Sequence, residues 1–173
     1  MIWQVEPVES FREVRGFYWQ LIDDMAAVND RIGWKKGVYP SDNFLRESLE
    51  KGELYSLREE GHILGAVILN SASNEGYKGL PWSGKLDARD ILVPHALAVS
   101  PEMQNRGIGR QLMGHVMEEA RKKEKKAIRL DILGTNGQAE ALYRSAGFSF
   151  VAARKMYYPD TGWTEYKMFE RNL

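Results

Sequence analysis

The feature that most narrows what this chain can fold into is a strand running through a glycine turn into a helix, between residues 91 and 120. Ile91-Leu92-Val93 and Ala96-Leu97-Ala98-Val99 form an apolar strand run, broken by Pro94 and ended by the turn signal Ser100-Pro101-Glu102. After Gln104-Asn105-Arg106-Gly107-Ile108-Gly109, the apolar residues Ile108, Leu112, Val116 and Ala120 recur at every fourth position, so a helix begins close to Gly107. The first turn of a helix leaves N–H groups unpaired and carries about half a positive charge, which makes phosphate a natural ligand. Gly107 and Gly109 let the main chain approach such a ligand, and Arg106 and Arg110 place guanidinium groups beside it. An ordinary strand-to-helix turn shows the same spacing, so the turn needs its context. A Rossmann fingerprint requires a third glycine or small residue where Leu112 stands, and a P-loop requires Gly-Lys-Ser or Gly-Lys-Thr, which is absent.

The remaining elements follow in order. A short strand at 2–5 precedes Pro7 and a helix with Phe11, Val14, Tyr18, Leu21, Ile22, Met25 and Val28 at helical spacing. Pro40-Ser41-Asp42 opens a second short helix, with Ser41 as its N-cap. Strands at 54–57 and 63–69 flank a hairpin turn at Gly61, and 70–90 reads as a long loop. The helix after Gly107 ends in Arg121-Lys122-Lys123-Glu124-Lys125-Lys126, cations that suit a helix C-terminus. A strand at 128–132 leads to a helix at 137–146 with Asn136 as N-cap and Gly147 past its end, and 148–157 pairs with 163–169 around Pro159-Asp160-Thr161-Gly162.

At 173 residues, one domain spanning 1–173 is expected. The 24 basic residues balance 24 acidic ones, which gives no electrostatic case for a nucleic-acid partner. The absence of cysteine removes disulfides, thiolate metal sites and a cysteine nucleophile, and no metal site is expected. With no signal-peptide pattern at the start and no apolar run near 20 residues, the reading is a cytoplasmic protein without a membrane partner.

Leu97-Ala98-Val99, then Gln104-x-x-Gly107-x-Gly109, a long helix, the strand Ile128-Arg129-Leu130-Asp131-Ile132, and Asn136-x-x-Ala139-x-x-Leu142-Tyr143-x-x-x-Gly147-Phe148 together resemble the GCN5-related N-acetyltransferases. The likeness is strong over 91–151 and looser on either side. It implies an α/β single-domain fold with a mixed, mostly antiparallel sheet flanked by helices. It implies acetyl-coenzyme A as donor, with the pantetheine arm along the backbone of Leu97, Ala98 and Val99 and the phosphates at Gln104, Asn105, Arg106, Gly107, Ile108, Gly109 and Arg110. It also implies a cofactor contact from Asn136, a general acid in Tyr143, and an acceptor pocket drawing on the early region, where Trp34 and Tyr39 are candidates.

Tyr77 and Trp82 in the long loop are further candidates for an aromatic wall around the acceptor. The alternative for each of these four aromatics is a packing residue. The family often carries a glutamate on the central strand as general base; here the ionisable residue near that place is His95, two before Leu97 and on the same strand face, with an unperturbed pKa near 6.5. The alternatives are that His95 is a hydrogen-bonded core histidine or that the base is a water ordered by Asp90 or Glu75, whereas His62 and His115 read as solvated. The expected function is transfer of an acetyl group to a primary amine of a small molecule or peptide, with a homodimer kept open. The competing reading is an acyl-coenzyme A-binding sensor or scaffold without turnover, and the presence of a base in reach of the amine separates the two.

Overall fold

Alternating and continuous apolar runs build one seven-stranded sheet in a computed structural model that describes residues 3–28 and 32–173. The strands are β1 (Val5–Pro7), β2 (Leu54–Glu59), β3 (His62–Asn70), β4 (Ile91–Val99), β5 (Ala127–Leu133), β6 (Ser149–Tyr158) and β7 (Gly162–Asn172), in the order β1-β2-β3-β4-β5-β7-β6. Every neighbouring pair is antiparallel except β4 and β5. The helices are α1 (Phe11–Val28), α2 (Asp42–Glu50), α3 (Ile108–Lys122) and α4 (Gly137–Ser145). This is the mixed, mostly antiparallel α/β architecture the sequence implies. The segment at 2–5 begins to be described at Trp3, and its strand starts at Val5. No described helix is long and apolar enough to cross a membrane.

The helical stripes decide the layers. Ile108, Leu112, Val116 and Ala120 of α3 pack with Tyr143 of α4 against Leu92, Ile128, Leu130 and Phe169 on one face of the sheet. Val14, Tyr18, Leu21 and Met25 of α1 and Leu45 of α2 pack on Leu54, Ala66, Ile68, Ala96 and Ala98 on the other. Beyond the end of α2 that second face is covered by the 71–90 segment, whose Tyr77 is buried against Met156, Tyr166 and Met168. The expected loop is thus a strap over the sheet, containing 3₁₀ turns at Glu75–Tyr77 and Ala88–Asp90.

Two local features differ from the sequence reading. Pro94 does not break β4; the strand continues through it, paired with Leu69. The irregularity falls at Ala96, which sits at φ 51 in a bulge where β4 has one residue more than β3. An alanine in that region is strained by about 1–2 kcal/mol, and the buried Tyr18 hydroxyl holds it by donating to the Ala96 carbonyl at 2.8 Å. His115 is half-buried where full solvation was expected: its ring lies 4.5 Å from that of Tyr55 and its Nε2 is buried, because α3 turns this position toward β2. His62 is exposed as expected. The cations after α3 are engaged locally, Lys122 and Lys123 with Glu119 and Lys126 with Asp90.

Candidate functional site

The parallel pair β4 and β5 is joined only at Ile91↔Ala127 and Leu92↔Ile128, near the start of both strands. Past Leu92 the strands diverge into a wedge, so the edge of β4 facing β5 has main-chain groups without a ladder partner. Pro94 lies just beyond the last pair, where a strand with one open edge accommodates a missing N–H.

A cavity of about 470 Å³ occupies the open end of this wedge, lined by Leu97, Ala98 and Val99, by Gln104, Asn105, Gly107, Ile108, Gly109 and Arg110, and by Asn136, Ala139, Leu142 and Tyr143. Gly107 is the N-cap of α3 at φ 87, with open space where a Cβ would stand. It lets the chain turn sharply and leaves the first N–H groups of α3 facing the cavity. Gly109 serves something else: a Cβ there would lie 3.2 Å from Leu142, so this glycine allows α3 and α4 to close on one another. Arg106 is exposed and stands outside the lining, its guanidinium against the Met103 sulfur, whereas Arg110 lines the cavity. Asn136 caps α4 by accepting from Ala139 N at 3.1 Å, which fixes its side chain at the cavity edge.

A long donor with a phosphate end and an amide-bearing arm fits this cavity. The helix N-terminus and Arg110 suit the phosphates, and the unpaired edge of β4 offers the arm main-chain donors and acceptors.

A second cavity of about 90 Å³ adjoins the first through the wedge and shares Ile32, Trp34, Leu97, Asn136, Ala139 and Tyr143 with it. Its other walls are Tyr39, His95, Asp131, Tyr158, Asp160 and Tyr166. Trp34 and Tyr39 therefore both line the small cavity, their rings 5.8 Å apart. Tyr143 reaches both cavities from α4, with its phenol pKa raised by burial and by the nearby Asp131 charge.

Two carboxylates line this cavity: Asp160, whose Oδ1 accepts from Thr161 N at 2.9 Å in the turn between β6 and β7, and Asp131, which no sequence signal singled out as catalytic. It alternates on β5 with Leu130 and Ile132, whose side chains belong to the α3 face, so Asp131 points to the opposite face, under the strap. There the Tyr77 and Tyr158 hydroxyls each donate to its Oδ2 at 2.7 Å. Burial raises its pKa above the ordinary carboxylate value, against the lowering effect of the two phenols.

Tyr77 and Trp82 are not the acceptor wall that the loop composition suggested. Neither lines the cavity: Tyr77 grips Asp131 from behind, and Trp82 donates its indole N–H to the Tyr77 carbonyl at 2.9 Å with Arg129 stacked over its ring. Asp90 pairs with Lys126 and Glu75 with the exposed Lys78, so neither reaches the cavity to order a water. His95 does line it, but the bulge at Ala96 breaks the alternation. Leu97 joins the α3 face while the His95 ring meets Phe44 of α2. The ring N–H of His95 donates to Asn70 Oδ1 at 2.7 Å, and burial lowers its pKa to about 4.

Comparison with known proteins agrees with this geometry. The model of the acetyltransferase (GNAT) family matches residues 14–148. The chain is 31% identical over 128 residues to the [ribosomal protein bS18]-alanine N-acetyltransferase of Escherichia coli K12, covering 66% of this chain and 86% of that protein. It is 37% identical over 107 residues to the N-alpha-acetyltransferase RimI of Mycobacterium tuberculosis, covering 62% and 64%. Among solved structures, the phosphinothricin acetyltransferase of Sinorhizobium meliloti in complex with acetyl-coenzyme A shares the fold at a TM-score of 0.71 and 17% identity, over 100% of this chain and 89% of that one. The chain belongs to the GNAT family and is an acetyl-coenzyme A-dependent N-acetyltransferase.

Proposed function

We propose that the acceptor is the α-amine at the N-terminus of a protein or peptide, and that Asp131 is the group that takes its proton. The observation that carries this is the placement of a carboxylate of raised pKa in the small cavity joined to the donor cavity at Tyr143. A reading as a non-catalytic acyl-coenzyme A sensor lacks a use for that carboxylate. The relatives named above acetylate alanine N-termini or α-amines by their names. The cavity, about 90 Å³, suits an amino group with a small substituent better than a bulky antibiotic ring. The proton balance agrees. An α-amine has a pKa of about 7.7–8.0 against about 10.4 for lysine, so its deprotonation near neutral pH costs about 3.4 kcal/mol less. A buried carboxylate is adequate for the first task and poorly matched to the second. Such an acceptor and donor meet in the cytoplasm.

In this reading Trp34 and Tyr39 flank the incoming chain end, and the open main-chain edge of β4 offers N–H groups to the thioester carbonyl. Asp131 first takes one proton from the bound ammonium; as the nitrogen–carbon bond forms, the second nitrogen proton is released and balances the one that the departing thiolate gains. As the carbon–sulfur bond breaks, Tyr143 donates to the departing sulfur. No covalent enzyme intermediate is involved. His95, neutral above about pH 4 and already bonded to Asn70, holds the neighbouring wall instead of taking the proton.

The test is to offer the enzyme acetyl-coenzyme A with two peptides of one sequence, each containing a single lysine, one with a free N-terminal alanine and one blocked there. Mass spectrometry should show acetylation of the free N-terminus and little of the lysine. Equal rates on both peptides would overturn the α-amine assignment.

A further inference from the structure

The strap over the second sheet face is anchored more heavily than a connecting loop requires. Arg154 donates to the Gly76 and Lys78 carbonyls at 3.1 and 2.8 Å, and Asn74 to the Tyr157 carbonyl at 3.0 Å. Further along, Glu170 accepts from Ser83 N at 2.9 Å and pairs with Arg129 at 2.7 Å in a buried ion pair. Arg129 in turn donates to the Gly84 carbonyl at 3.0 Å and lies over Trp82. The Arg154 and Asn74 bonds hold down the Glu75–Tyr77 turn, whose delivered side chain is Tyr77, and the Glu170 and Arg129 bonds fix the strap further along at Ser83 and Gly84.

Both phenols that reach Asp131 choose the same oxygen. Tyr77 comes from the strap and Tyr158 from β6, and each donates to Oδ2 at 2.7 Å. Oδ2 is thereby filled, while Oδ1 carries no hydrogen bond among the described residues and the side chain lines the acceptor cavity. A carboxylate with one oxygen doubly occupied cannot rotate its free oxygen away without losing both bonds.

We propose that Tyr77 and Tyr158 are positioning residues for the acetyl transfer: they clamp one oxygen of Asp131 so that the other faces the acceptor amine, and the anchored strap exists to supply half of that clamp. The inference rests on the assignment of Asp131 as proton acceptor. It makes the 71–90 segment, which lines neither cavity, a determinant of the reaction. The clamp also sets the basicity of the carboxylate. Phenol hydrogen bonds favour the ionised form and so oppose burial, which raises the pKa. The other groups facing Asp131 are Tyr39 before α2, His95 on β4, Tyr143 on α4, Asp160 in the β6–β7 turn and Tyr166 on β7. Of these, the titration of His95 lies near pH 4, and burial lifts the Tyr166 phenol to about 12.

The experiment measures kcat/KM against pH with acetyl-coenzyme A and an alanine-terminated peptide, for the wild type, Tyr77→Phe, Tyr158→Phe and Asp131→Asn. Phenylalanine keeps either ring in its packing. Loss of one donor should move the acid limb of the profile up by about one pH unit and lower kcat about tenfold, with KM for acetyl-coenzyme A unchanged. Arg154→Met, which frees the strap turn, should move the limb the same way by less. If Tyr77→Phe does not fold, Tyr158→Phe decides, since it removes the other donor from a different element. An unmoved limb in the folded phenylalanine variants, beside an inactive Asp131→Asn, would overturn the clamp while leaving Asp131 as base. An active Asp131→Asn with a wild-type limb would instead remove the base on which the clamp rests.

Discussion

Tyr143 shows how far a single side chain can be argued from chemistry. An alkyl thiol has a pKa near 8.5 and a phenol near 10, so complete proton transfer to the thiolate is uphill in water by about 1.5 units, or about 2 kcal/mol. Burial lifts the phenol further. The same dry cavity lifts the thiol too, because desolvation penalises both anions. In the proposed reaction the phenol would therefore act through a hydrogen bond that strengthens as the sulfur gains charge. Tyr143→Phe should leave folding and acetyl-coenzyme A affinity nearly unchanged and lower single-turnover transfer by about 10²- to 10⁴-fold; a loss below about threefold would return the proton to solvent. Tyr143 was legible because it sits in a spaced motif with Asn136 and Ala139. Asp131 was not. A lone acid between Leu130 and Ile132 reads as the solvent side of a half-buried strand, and only the strap, arriving from more than 50 residues away, encloses it.

At the scale of elements, the strand–turn–helix unit was legible because each part is local: apolar runs, a glycine turn and a helical stripe within 30 residues. The wedge between β4 and β5 was not, since it depends on where two strands stop pairing. Nor was the bulge at Ala96, because nothing distinguishes an alanine held at positive φ by Tyr18 from any other. The sequence drew attention to Pro94 in its place. The two glycines of the turn now separate by mechanism. Gly107 has room for a Cβ but a φ of 87, so Gly107→Val must distort the N-terminus of α3. Donor binding should weaken by at least tenfold in isothermal titration while the sheet stays folded by circular dichroism. Unchanged affinity would show that this turn does not hold the phosphates.

For the whole molecule, the wedge in the sheet joins the two cavities. The larger is lined from α3 and α4 and also by Leu21 and Met25 of α1, and it continues into the smaller one past shared walls that include Leu97, Asn136 and Tyr143. Because the donor bridges α3, α4 and β4, its binding should stabilise the fold as a unit. At a hundredfold excess over Kd, linkage adds about 2.7 kcal/mol, which for a chain of this size raises the melting temperature by about 5–11 °C. A thermal-shift titration with coenzyme A checks this, and no shift would contradict a preformed site.

The claim on which the rest depends is that Asp131 takes the proton of the amine, and Asp131→Asn tests it with the smallest change of shape. The folded-state pKa of this carboxyl lies above its unfolded value, so its contribution to stability is present at low pH and lost as pH rises through the folded pKa. Once ionised, the buried group therefore costs stability. Asparagine, which still accepts from Tyr77 and Tyr158, should leave the melting temperature equal or higher. Single-turnover acetylation of an alanine-terminated peptide should nonetheless fall by at least a hundredfold, with acetyl-coenzyme A affinity unchanged and the acid limb of the wild-type pH profile gone. A rate within threefold of wild type, with that limb intact, would contradict the account.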